Sequence, residues 1–261
     1  MLVFAAFTPH TPLLLPTIAK QQQKALGATT QAMKELAEEL YAVHPETVLI
    51  LSGHGAQFPD AFSINLHDHY RTDLTEFGDM ATTREFFPDL EIIDRLQKYA
   101  RNASLPFTLY SDPVLDYGTA VPLLLLTEHL LHISIVPVSY SAFPAKNHFE
   151  FGRLLKEVVI PSEKRIAVIA SGDLSHALSS DAPAGFHPEG PIFDACVRDI
   201  VQTMTPSRLL QMVPKDVERA HECGYRPLLI LMGLLEGMHM KPHEYVYDAP
   251  FGVGYLVAHF E

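Results

Sequence analysis

Short apolar runs rich in Val, Ile and Phe alternate along the chain with longer segments in which apolar residues recur every three or four positions. The first run, LVFAAF at residues 2–7, reads as a strand that closes in the proline-rich loop TPHTPLLLP. Across residues 20–42 the apolar positions Leu26, Met33, Leu36, Ala37 and Leu40 share one face, which predicts an amphipathic helix. ETVLILSG follows as a buried strand that runs into Gly53, His54 and Gly55. The same alternation continues through FSINL, a helix near 84–102, FTLY, an apolar helix near 119–132, the strand ISIVPVSY, a helix near 146–159 and the strand RIAVIASG. Helices near 189–203, 206–212 and 222–237 complete it.

Strands this apolar, without polar alternation, belong to a sheet covered on both faces. The expected fold class is therefore α/β, a three-layer α/β/α sandwich around a mostly parallel or mixed central sheet. The sequence contains no internal repeat, low-complexity tract or Gly/Ser linker, so residues 1–261 read as a single domain.

Composition narrows the partners. Nineteen basic against 31 acidic residues give a formal charge of −12, which argues against a nucleic-acid surface or an anionic membrane face and leaves small molecules or protein. The first cation is Lys20, after Pro9, Pro12 and Pro16, so the N-terminal apolar run is not expected to be a signal peptide. No stretch offers about twenty uninterrupted apolar residues. Cys196 and Cys223 are too few for a disulfide framework, and a reduced, cytoplasmic setting is the simpler expectation.

Three of the 14 histidines directly follow predicted strands: His10, His54 and His176. In an open α/β sheet, ligands gather beyond the carboxyl ends of the strands, where these three would converge. Neutral imidazoles with one carboxylate suit Fe(II), Zn or Mn. Two residues qualify for the carboxylate. Asp173 shares the His176 loop and also fits a turn cap; Glu222 lies in AHECGYRP at the start of the last long helix, where an anion is stabilised by free N–H groups in any case. His67 and His69, two residues apart, fit a solvated strand face as well as a metal pair. His187 and His221 border the same loops, and Arg226 suits either an acidic neighbour or a substrate carboxylate.

Five stretches, FTPHTPLLLP, LSGHG, DYGTAVPL, SGDLSHAL and HECGYRPLLILMGLLEG, give the chain a resemblance to the class III (LigB-type) extradiol dioxygenase superfamily, which includes DODA-type ring-opening enzymes and non-catalytic Memo-like proteins. The resemblance implies Fe(II) held by His10, His54 and Glu222, with His176 as acid/base and Asp173 and Tyr117 beside it. It implies an aromatic diol and O2 as substrates, and a homodimer. Tyr117 departs from the histidine usual at that place: it can hydrogen-bond an oxygen but cannot become a cation near pH 7. Two other outcomes remain open. In a Memo-like protein Cys223 would replace Glu222 at the metal and favour Cu; in a metal-assisted hydrolase Zn would polarise a water with His176 as base.

Overall fold

A computed structural model describes residues 1–261, the side chain of Gln21 excepted. Eleven strands form the sheet: β1 (Leu2–Thr8), β2 (Thr47–Ser52), β3 (Phe62–Asn65), β4 (Tyr70–Thr72), β5 (Glu85–Pro88), β6 (Phe107–Tyr110), β7 (Val114–Leu115), β8 (Ser134–Ser139), β9 (Ile166–Ser171), β10 (Pro242–Asp248) and β11 (Tyr255–Phe260). The main path runs β10-β11-β1-β9-β2-β8-β5-β4-β7, with β3 pairing β8 and β6. Its centre, β1-β9-β2-β8, is parallel, and β11 closes the β1 edge antiparallel. The sheet is therefore mixed around a parallel core, and the expected α/β sandwich is observed.

Alternate residues of the central strands feed two cores. Phe7, Leu49, Leu51, Val136 and Val168 pack under helices Ala145–Val159, Glu189–Thr203 and Tyr225–Leu235. Phe4, Val48, Ile50, Ile135 and Ile169 pack under helices Gly27–Ala42 and Tyr117–Leu126. Both faces are covered, which is why these strands carry no polar alternation.

Several boundaries differ from the sequence expectation. The helix expected over 20–42 begins at Gly27, because Lys20 takes a positive φ of 44° and the chain turns there. The helix expected near 84–102 is a strand, β5, followed by helix Leu90–Asn102, whose start is fixed by the Asp89 carboxylate accepting the Ile92 amide. The helix expected from 222 begins at Tyr225, and a further helix, Pro214–Ala220, precedes it. That shift of three residues decides what Glu222 does.

Candidate metal centre

Three neighbouring parallel strands deliver the site. β1, β9 and β2 end in the buried hydroxyl residues Thr8, Ser171 and Ser52, and the chain leaves each strand to place His10, then Asp173 and His176, and His54. Helix Tyr225–Leu235 brings the fourth contributor, Cys223, up to the end of β9. Gly172 and Gly224 make that approach: a Cβ on Gly172 would run into the Gly224 backbone, so neither position has room for a side chain. Tyr117 arrives on helix Tyr117–Leu126, which Asp116 caps by accepting the Thr119 amide. The second carboxylate contact of Asp116, to the Ser52 hydroxyl at 2.6 Å, ties that cap to the His54 loop, since Ser52 Oγ accepts the His54 amide.

The side chains converge tightly. His10 Nε2 lies 3.1 Å from His54 Nε2 and 3.3 Å from Cys223 Sγ, and the three atoms form one group of ligand geometry. His176 Nε2 is 4.0 Å from the same sulfur. Asp173 Oδ2 stands 3.9 Å from both His10 Nε2 and His176 Nε2, while its Oδ1 accepts the His10 amide. Tyr117 OH is 3.1 Å from His54 Nε2.

Ionisation follows from burial. His10 and His54 are held down to about 4, first by desolvation, so both are neutral at pH 7 and keep a lone pair with which a cation could be bound. His176 is lowered for the same reason, against the nearby Asp173 carboxylate. Burial raises Asp173 to about 6 and holds the Tyr117 hydroxyl above its usual range, so Tyr117 stays a donor. The Cys223 thiol is pushed well above its ordinary value by burial, then by Asp173 and Glu222. A thiolate there needs a cation to form.

A metal ion fits this geometry. Bond lengths of about 2.0 Å to nitrogen and 2.3 Å to sulfur in a tetrahedron separate nitrogens by roughly 3.3 Å and nitrogen from sulfur by roughly 3.5 Å. The two edges from His10 Nε2 are 3.1 and 3.3 Å, and the third, between His54 and Cys223, is within 4.8 Å. His10, His54 and Cys223 would hold the ion, which would supply Lewis acidity.

Glu222 does not join them. Its Oε2 accepts the Tyr225 amide at 2.5 Å, the first free N–H of the helix, and the residue lines a different cleft, with Arg226 and Tyr225. Of the three ligands expected from the resemblance, His10, His54 and Glu222, the structure brings the two histidines together, and the third side chain beside them is Cys223 in place of Glu222. Because the helix begins at Tyr225, Glu222 lies before it, free to cap; Cys223, one residue on, points at the histidines. His67 and His69 sit together elsewhere, ring centres 5.9 Å apart, and His187 and His221 form another pair at 5.1 Å. Neither pair belongs to a metal-ligating group among the described residues.

A family model described as the catalytic LigB subunit of aromatic ring-opening dioxygenase matches residues 4–258. The chain belongs to the LigB family. Protein CA_C1420 of Clostridium acetobutylicum is 27% identical to it over 262 residues, which cover 97% of this chain and 56% of that protein. The LigB chain thus spans about half the length of that curated relative. A crystal structure of the uncharacterized protein JW3007 from Escherichia coli K12 shares the LigB chain's fold, with a TM-score of 0.70 and 20% identity over 99% of each chain. No helix among the described residues is long and apolar enough to cross a membrane.

One LigB site residue was not foreseen from the sequence. Ser171, the last residue of β9, meets His10 Nδ1 at 3.0 Å and donates its own proton to the Gly118 carbonyl. Its signal was present as a polar residue ending an otherwise apolar strand, a feature repeated at Thr8, Ser52 and Ser139.

Proposed function

We propose that this LigB chain binds a borderline or soft transition metal, zinc or copper, through His10 Nε2, His54 Nε2 and Cys223 Sγ. The observation that carries the reading is the pair of neighbours Cys223 and Glu222: the sulfur faces His10 at 3.3 Å and the carboxylate is spent on the Tyr225 amide. Thiolate and imidazole together select softer ions than a two-histidine, one-carboxylate set does. The test is metal analysis of anaerobically purified protein. Cys223→Ala loses bound metal and Glu222→Gln keeps it; the reverse result restores Glu222 as ligand and Fe(II) as the ion.

A second reading, ring-opening of an aromatic diol with O2, is supported by the groups around the ligand atoms. His176, neutral at pH 7, could take a phenolic proton at Nε2, the Asp173 carboxylate 3.9 Å from that nitrogen would favour the resulting cation, and Tyr117 OH can donate to a substrate oxygen. The bound ion would supply a template and electron transfer between diol and O2. This reading requires Fe(II) at a centre containing a thiol. Iron-reconstituted protein that consumes O2 with a catechol and forms a yellow product supports it; absence of uptake across a catechol panel removes it. The homodimer expected by resemblance is tested separately by sedimentation.

A further inference from the structure

Two clefts of different electrostatic character open beside the His10–His54–Cys223 centre, one reaching His54 and the other His176. The smaller, about 440 Å³, is entered past His54 and Tyr117 and is ringed by Asp73, Glu76, Asp112 and Asp116. The larger, about 1280 Å³, reaches His176. Phe143, Leu210, Met212 and Val217 give it apolar walls, and it carries the cations Arg226 and Lys146. Its carboxylates are Glu222, engaged with the Tyr225 amide, and Glu218, exposed to solvent.

Among the described residues Arg71, Arg95, Arg101 and Arg226 are the arginines without a side-chain hydrogen bond or ion pair, and Arg226 is the one of these four that stands over an aromatic ring. Its guanidinium lies 5.3 Å over the Tyr140 ring, and among the described residues no carboxylate lies within ion-pair distance of it. Arg84, Arg153, Arg165, Arg198, Arg208 and Arg219 all have hydrogen-bond or ion-pair partners. A planar fork of donors held against an aromatic face, half-buried in an apolar cleft and unpaired, is built for a carboxylate. The acidic smaller cleft repels the same group.

We infer that the larger cleft receives an organic carboxylate with an extended apolar body, its carboxylate on Arg226 and its other end towards His176 and the metal-facing atoms. The volume of about 1280 Å³ leaves room for an apolar body larger than one aromatic ring. The part of this inference that concerns the ligand's inner end rests on the metal reading above; the role of Arg226 does not.

The test uses the full chain, metal-free and zinc-loaded, titrated calorimetrically with 2-naphthylacetate and with its uncharged counterpart 2-naphthylacetamide. The acid is expected to bind about 10-fold tighter than the amide, the loss of one charge-assisted pair at 1.4 kcal/mol per decade. Arg226→Gln abolishes the preference by weakening the acid alone, Arg226→Lys keeps part of it, and Lys146→Gln leaves it intact. Unchanged amide affinity in Arg226→Gln shows that the cleft is still folded. Equal affinity for acid and amide in the parent, a preference that survives in Arg226→Gln, or binding of neither probe below about 1 mM overturns the inference. Metal content, measured on the same samples, reports separately on the metal reading: a chain that holds no zinc still displays or lacks the Arg226-dependent preference.

Discussion

Ser171 fixes the tautomer of His10. The hydroxyl gives its proton to the Gly118 carbonyl, so towards His10 Nδ1, 3.0 Å away, it can only accept. The neutral ring then carries its hydrogen on Nδ1 and presents the Nε2 lone pair to His54 and Cys223. Partners of this kind orient metal-binding histidines and raise their basicity. Ser171→Ala is expected to weaken zinc or copper binding roughly 10–100-fold with the fold retained, read by competition with a chromogenic chelator. Unchanged affinity would mean that the tautomer is set elsewhere.

Glu222 is a cap and a buried acid. Burial is the main cause that raises its carboxyl to about 7, against the Tyr225 and Gly224 amides and Arg226. A folded-state value above the unfolded one of about 4.3 means that the native state binds the extra proton between those two values. Its contribution to stability is therefore complete below about pH 4, falls as pH rises, and is gone above about 7. Glu222→Gln cannot lose a proton, so its stability relative to the parent should rise by about 1–3 kcal/mol between pH 4.5 and 7.5. Urea midpoints of the two metal-free proteins across that range check the sign. A gap that narrows with pH would refute the assignment.

The contact of Gly172 with Gly224 leaves no space for a methyl group. Gly172→Ala would drive the Cβ into the Gly224 backbone, and Gly224→Ala would meet Phe7 and the Asp173 carbonyl at 2.8 and 2.9 Å. Either substitution should cost about 1–3 kcal/mol through displaced backbone. Because the shift moves the segment carrying Cys223 away from β9, metal content should fall with it. Thermal melts together with metal analysis test both halves; destabilisation with full metal occupancy would place the ligand outside this segment.

Much of the architecture was legible because it rests on periodicity. β1, β2, β8 and β9 are apolar on both faces, and that pattern alone requires helices above and below. Of the strands that went unread, β4, β5 and β7 are short and β10 is mixed in polarity, so that pairing rather than pattern decides their state, whereas β11, six buried residues against β1, carried the same apolar pattern as the central strands. The same division holds at the site. His10 and His54 were legible because a strand end fixes where they go, whereas the choice between Glu222 and Cys223 hangs on which residue begins a helix. Helix starts are the least readable boundary in a sequence. Here Gly224 takes the cap position, and one residue of register separates a side chain that faces the histidines from one that faces the larger cleft.

Proton release on metal binding distinguishes the sulfur-containing centre from an ordinary one. His10 and His54, held at about 4, are already neutral at pH 6 and release nothing. Cys223 is still a thiol there and must give up one proton to bind. Asp173, at about 6, adds at most about half a proton if the ion's charge deprotonates it. Zinc binding at pH 6 is therefore expected to release between one proton and about one and a half. Unshifted imidazoles, mostly protonated at that pH, would carry the count above two. Calorimetric titrations in buffers of different ionisation enthalpy give the number directly. In Cys223→Ser the count should fall by about one together with the affinity, and a count that does not change would remove the thiol from the centre.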